Sequence, residues 1–184
     1  MDALPRERMT AAEFLDWRER QPEGKHYELV DGLIVENLSE RAAHARVKAR
    51  TFRMLEDAIV AAGRPCEAFP DGMTVRVNET TVLEPDAAVR CGAPLDDDAL
   101  IYADPVIVVE VISPSSSGRD RGAKLDDYFS IPTVMHYLIL RTENRRVIHH
   151  ARDGEGRIST QILGAGPLVL DPPGLALDVA SLFP

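Results

Sequence analysis

Glu110 stands inside Val106-Ile-Val-Val-Glu-Val-Ile, the most hydrophobic stretch of the chain. A carboxylate in such surroundings costs several kcal/mol unless something compensates it. Two arrangements do so, a buried ion pair with a nearby lysine or arginine, or coordination of a metal ion. A second carboxylate, Asp86, follows Pro85 at the head of another short β-like run, Pro85-Asp-Ala-Ala-Val-Arg. Alone, Pro-Asp is an ordinary turn pair. Taken with Glu110 it places two oxygen donors on neighbouring strands, at one end of a sheet. One or two carboxylates, with water and a substrate phosphate, form the ligand set that Mg²⁺ prefers. Such an ion acidifies a bound water and stabilises charge on a phosphate. Farther along, Asp120, Lys124 and Tyr128 recur every four residues and so share one helical face. That face can be aimed at the carboxylates, or Asp120–Lys124 can be a surface ion pair worth a few tenths of a kcal/mol.

The elements that must position these groups are written in local signals. Thr10 followed by Glu13 is a capping-box pattern and opens a helix that runs to about Arg20, before Gln21-Pro-Glu-Gly. His26-Tyr-Glu-Leu-Val and Leu33-Ile-Val-Glu-Asn flank Asp31-Gly32, a hairpin signature. Val47, Phe52, Met54, Leu55, Ile59 and Val60 recur at helical spacing between Ala42 and Ala62, and Gly63 supplies the stop. Met73-Thr-Val-Arg-Val alternates as a strand. The run from Val106 to Ile112 suits a strand buried on both faces at the centre of a sheet flanked by helices. A helix follows from about Arg119 to Ser130. Val134-Met-His-Tyr-Leu-Ile-Leu reads as a further buried strand, and Arg146-Val-Ile-His-His and Ile158-Ser-Thr-Gln-Ile-Leu read as edge strands joined by Asp153-Gly-Glu-Gly. The expected class is α/β with a mixed sheet, in a single domain over residues 1–184.

Bulk properties bound the function. The chain has 184 residues, 45% hydrophobic and 28% charged, the composition of an ordinary globule. No apolar run approaches the roughly 20 residues needed to span a bilayer, and the N-terminus lacks the basic and apolar regions of a secretory signal. Cys66 and Cys91 have no zinc spacing and read as two separate reduced thiols in a cytoplasmic protein. The net charge of −9 argues against broad nonspecific affinity for nucleic acid. The densest basic stretch is His44, Arg46, Lys48, Arg50 and Arg53, either a solvated helical face or a phosphate-facing patch. Adjacent on a strand, His149 and His150 point to opposite faces and read as structural. Ser113 to Ser117 reads as a loop over the site, and Asp96-Asp-Asp as a solvated loop tip.

Five separated segments, in order, carry a more specific resemblance. They are Tyr27-Glu-Leu-Val-Asp-Gly with His44, Pro85-Asp86, Val109-Glu110-Val-Ile-Ser-Pro-Ser, Asp120-x-x-x-Lys124-x-x-x-Tyr128, and Val134-x-His-Tyr-Leu-Ile. Over roughly residues 8 to 180 the chain resembles the Uma-two family of restriction-endonuclease-like proteins, within the PD-(D/E)xK nuclease superfamily. The resemblance implies a restriction-endonuclease-like fold, with a central mixed β-sheet flanked by helices. It implies Asp86, Glu110 and Lys124 as the catalytic core, with Asp86 and Glu110 holding Mg²⁺ or Mn²⁺. The superfamily pattern puts a lysine two residues after the glutamate, where this chain has Ile112; the resemblance implies that Lys124 replaces it. Glu28 would complete the acidic cluster, and Asp120 and Tyr128 would support it. His44 would orient a water or contact phosphate, or else serve as a helix cap or surface histidine.

The leading expectation is a metal-dependent endonuclease acting on DNA, with a homodimer as the arrangement that adds a second cut. The competing one is a nuclease fold that binds nucleic acid or protein with little turnover, favoured by the charge. An α/β hydrolase is disfavoured because no G-x-S-x-G elbow is present.

Overall fold

The computed structural model describes residues 4–22, 24–37, 40–112 and 118–184, with backbone only over 118–122. The side chain of Asp120 and the loop 113–117 therefore lie outside the described residues. In chain order the elements are α1 (Ala11–Arg18), β1 (His26–Val30), β2 (Leu33–Asn37), α2 (Ala42–Ala62), β3 (Cys66–Pro70), β4 (Thr74–Asn78), β5 (Thr81–Leu83) and β6 (Ala87–Cys91). They continue with β7 (Ile101–Tyr102), β8 (Pro105–Ile112), α3 (Gly118–Ser130), β9 (His136–Arg141), β10 (Arg146–Arg152), β11 (Ile158–Leu163), β12 (Pro167–Leu170) and β13 (Leu175–Asp178).

Local chemistry explains the well-read elements. The capping box of α1 closes reciprocally, with Thr10 N–H donating to Glu13 Oε2 at 2.7 Å and Glu13 N–H to Thr10 Oγ1 at 3.3 Å. Asp31 and Gly32 both take positive φ, as a two-residue hairpin turn requires, and a Cβ at Gly32 would lie 3.2 Å from Met9 O. The long helix α2 ends on Gly63 in the left-handed region. Its buried stripe, Val47, Thr51, Leu55 and Ile59, follows the four-residue helical repeat.

Among the described residues two large sheets and the two-stranded pair β12-β13 form the body. The larger has the order β11-β10-β9-β8-β6-β3, and the other β2-β1-β5-β4-β7. Strand β8 is interior to the larger sheet, antiparallel to β6 and parallel to β9, so the sheet is mixed. Alternation along β8 divides the core. Val109 and Val111 pack with Val47, Leu55 and Ile59 of α2, whereas Val108 packs with Tyr128 and Phe129 of α3. Glu110, in step with Val108, therefore belongs to the α3 face.

Several readings need correction. Strand β10 is not an edge, since it pairs with β9 on one side and β11 on the other, which leaves β11 as the outer strand. Cys66 and Cys91 are not separate thiols. They are direct partners across β3 and β6, with Cα atoms 3.9 Å apart, and form a disulfide. A separation of 25 residues gave no hint that two strands would set them opposite each other. The histidines on β10 do diverge. His150 meets Thr160, while buried His149 bonds His136 at 2.9 Å, and His136 Nε2 lies 3.0 Å from Pro172 O. A carbonyl only accepts, so His136 carries its proton on Nε2 and Nδ1 accepts from His149 Nε2–H. Burial holds the pKa of both rings down, that of His149 to about 4. No helix among the described residues is long and apolar enough to cross a membrane.

Candidate functional site

The chain concentrates its buried charge at one end of β8. Glu110 Oε1 accepts from Lys124 Nζ at 3.0 Å and from Tyr128 O–H at 2.8 Å. Lys124 Nζ also reaches Glu28 Oε1 at 2.9 Å, and the same oxygen accepts from Glu84 N–H at 3.0 Å. Glu28 comes from β1 in the second sheet, Glu110 from β8, and Lys124 and Tyr128 from successive turns of α3. The lysine thus bridges two carboxylates that different sheets supply. Burial pushes the Glu110 carboxyl up to about 7, with Asp86 and Glu28 adding to the rise while Lys124 and Tyr128 oppose it. For Lys124, burial favours the neutral amine, but Glu110 and Glu28 outweigh it and hold the ammonium well above its ordinary value. Tyr128 is wholly buried, and burial raises its pKa, so it serves as a neutral donor.

Asp86 sits just before β6, where its N–H bonds Val109 O at 3.0 Å and Val111 N–H donates to its Oδ2 at 2.5 Å. Those bonds fix the carboxylate at the rim of the sheet, within reach of α2. His44 Nε2 lies 3.3 Å from Oδ2, and Lys48 Nζ lies 3.1 Å from Oδ1. Lys48 also contacts Asp71 at 2.8 Å and Glu40 more closely still. Burial works against ionisation of Asp86, yet the His44 and Val111 hydrogen bonds and the Lys48 charge keep its pKa below the usual value. Among the described residues, one group of three offers metal-ligand atoms within 4.8 Å of one another, namely Glu40, His44 and Asp86. Glu110 does not belong to that group; its Oε1 bonds Lys124 and Tyr128.

The structure therefore gathers Glu28, Glu110, Lys124 and Tyr128 into one cluster and His44 with Asp86 into an adjoining one. The two meet along the backbone between Val109 and Val111. Lys124 turns inward to buried carboxylates. His44 sits inside the first turn of α2, not at its cap, which is Arg41. Sequence reasoning missed Glu40, Asp71 and Glu84, and it saw Lys48 only as one member of a basic stretch. Lys48 had a legible signal, since it stands one helical turn after His44. Glu84 is buried beside His26 and Arg18 and ties the second sheet to Glu28 through its backbone.

A family described as "Putative restriction endonuclease", Uma2, matches residues 11–180. The chain belongs to the Uma2 family. Two Synechocystis proteins are similar to this Uma2 chain. "Uncharacterized protein sll1609" is 29% identical over 160 residues, covering 85% of this chain and 88% of the other. "Uncharacterized protein slr1290" is 26% identical over 183 residues, covering 98% and 94%. A crystal structure from Anabaena variabilis, described as "a putative nuclease belonging to DUF820", superposes with a TM-score of 0.75 at 16% identity, covering 95% and 97%. That likeness establishes that the Uma2 chain shares its fold.

Proposed function

We propose that the protein is a metal-dependent endonuclease that hydrolyses DNA phosphodiester bonds. The observation that carries this reading is the junction at the end of β8. There Asp86, held ionised by His44 and Lys48, adjoins a buried Glu110 bridged to Glu28 by Lys124. The donor set suits a hard divalent cation, Mg²⁺ or Mn²⁺, because it consists of carboxylate oxygens with one imidazole. Asp86, which belongs to the group of Glu40, His44 and Asp86, would hold the ion, and Glu110 from the adjoining cluster would be its second carboxylate. Such a cation supplies a water of lowered pKa and charge stabilisation at the phosphate.

The protein's own groups supply the remainder. Lys124 offers a fixed ammonium to the non-bridging phosphate oxygens, oriented in advance by its two carboxylate partners. Lys124 and Tyr128 hold the Glu110 carboxyl through Oε1, and from that position it would contribute to holding the ion. Burial pushes its pKa up to about 7. The family description and the Anabaena fold support a nucleic-acid substrate. DNA as substrate and a two-fold homodimer complete the proposal; the Cys66–Cys91 disulfide argues against the reducing cytoplasmic setting expected from the sequence.

The second reading, a nuclease fold that binds without turnover, is favoured by one observation. Both lysines are already neutralised inside the protein, in a chain of net charge −9. Cleavage of supercoiled plasmid with Mg²⁺ or Mn²⁺ decides between the two. The nuclease reading expects nicking by the wild type and its loss in Glu110→Ala and Lys124→Ala. Absence of metal-dependent cleavage of any DNA form would leave the binding reading in possession.

A further inference from the structure

Beside Asp86 the surface opens into a cavity of about 400 Å³. One stripe of α2 forms its wall. Ala45, Lys48, Ala49 and Phe52 follow the helical i, i+3, i+4, i+7 spacing, and Pro70 at the end of β3 faces them. The two alanines create the hollow, since any larger residue there would fill it. Phe52 packs partly against the core and also lines the hollow. The rest of its lining mixes charge, with Arg53 beside Glu40, Asp71 and Asp86, the three carboxylates that share Lys48.

These features select an occupant. The volume suits a single small-molecule-sized group. Three carboxylates in the lining disfavour a multiply charged anion in the hollow, and the charged lining disfavours a fatty chain. A flat neutral ring bearing donors and acceptors satisfies both the apolar and the charged parts of the lining. The hollow is continuous with Asp86, so its occupant would lie next to the phosphate under attack. The chain's net charge of −9 gives little sequence-independent grip on phosphates. Stacking on an aromatic ring provides grip without charge and works for every base.

We propose that this cavity receives an unpaired nucleobase next to the scissile phosphodiester, so that the protein cuts single-stranded or locally opened DNA in preference to intact duplex. The inference rests on the nuclease reading for the phosphate, and on the cavity alone for the base. In a duplex the same base must first leave its stack, at a cost of a few kcal/mol.

The test moves one abasic site along a single-stranded oligonucleotide and measures kcat/KM for each position. A parallel series carries 2-aminopurine at the same positions and reads fluorescence quenching in Glu110→Gln without turnover. The expected result is a fall of roughly 5- to 150-fold at one position relative to the cut, the range for loss of one base–aromatic stack. In Phe52→Leu the ratio between intact and abasic substrates should collapse towards one, while Phe52→Tyr should retain it. Ala49 is exposed, so Ala49→Leu fills the hollow without burdening the core and should collapse the ratio as well. Cleavage indifferent to the abasic site, or a dependence unchanged in Phe52→Leu and Ala49→Leu, overturns the inference and leaves the nuclease standing. Position-specific quenching lost in Phe52→Leu, with no cleavage by the wild type, removes the nuclease and keeps the pocket. Absence of both results removes both readings.

Discussion

Replacing Lys124 by methionine keeps most of the side-chain stem and deletes the charge that bridges Glu28 and Glu110. The lysine side chain is 15% exposed and its partners 4% and 12%, so neither carboxylate can recover full hydration. Removing one member of a buried pair typically costs about 3–5 kcal/mol. Here the cost should depend on pH. Glu110 already titrates near 7, and losing the lysine, the largest influence holding it down, moves it higher. A carboxyl whose folded pKa exceeds its unfolded value favours the folded state below the unfolded value, near 4.5. That contribution is lost as pH rises through the folded pKa, by up to about 1.4 kcal/mol per pH unit. At pH 5.5 Glu110 of the variant is protonated and the penalty should be about 1 kcal/mol or less. At pH 8 it should be larger by up to about 1.4 kcal/mol, because the wild-type and variant carboxyls differ in protonation only above about pH 7. For a chain of this length a penalty of about 2 kcal/mol corresponds to a melting temperature lower by roughly 4–8 °C at pH 8. Thermal unfolding followed by circular dichroism at the two pH values measures it, with Lys124→Met/Glu110→Gln expected to regain much of the loss at pH 8. A Lys124→Met transition that coincides with wild type at pH 8, or a deficit equal at both pH values, would refute the bridging arrangement.

Calorimetric titration with Mn²⁺ should show a site in the wild type that disappears in Asp86→Ala, because Asp86 adjoins both ligand clusters; unchanged binding would remove it from the metal site. Acid should loosen the junction of β9, β10 and the turn at Pro172. His149 titrates near 4 when folded and near 6.5 when free, so the unfolded chain gains protons first and stability falls as pH drops through that window. The expected loss is on the order of 2 kcal/mol, read from urea midpoints at pH 7 and pH 4.5, and a midpoint that does not move would contradict it. Denatured protein purified without reductant should consume no thiol reagent, and two reactive thiols per chain would show Cys66 and Cys91 unlinked.

What the sequence displayed was whatever short-range chemistry enforces. Thr10 and Glu13, Asp31-Gly32, Gly63 and the β-branched run around Glu110 each act within a few residues, and each element formed where its signal stood. The opposite holds for strands β3, β5, β12 and β13, whose short or mixed segments become strands only because partners far along the chain receive them. The site divides along the same line. Glu110 was conspicuous because a charge in a hydrophobic strand is costly, whereas Lys124 and Tyr128 stood out through the family resemblance, with the four-residue helical repeat only in support. Glu40 and Asp71 looked like any exposed acid, and only the fold of α2 over the end of β6 gives them Lys48 to share. The pairing of Cys66 with Cys91 depends on strand register, which no local pattern encodes.

Glu28 and Lys124 are 96 residues apart and reach each other only when both sheets have docked. A nascent chain that has completed β1 and β2 still lacks β8 and α3, and one that has folded the larger sheet alone lacks the second glutamate. The reactive constellation is thus an AND gate on folding, with neither half able to organise it. For a protein proposed to cut its host's own class of polymer, that dependence has a protective side. Species released early, clipped by proteases or halted partway would be harmless, and hydrolytic competence would arrive in the same cooperative step that completes the molecule.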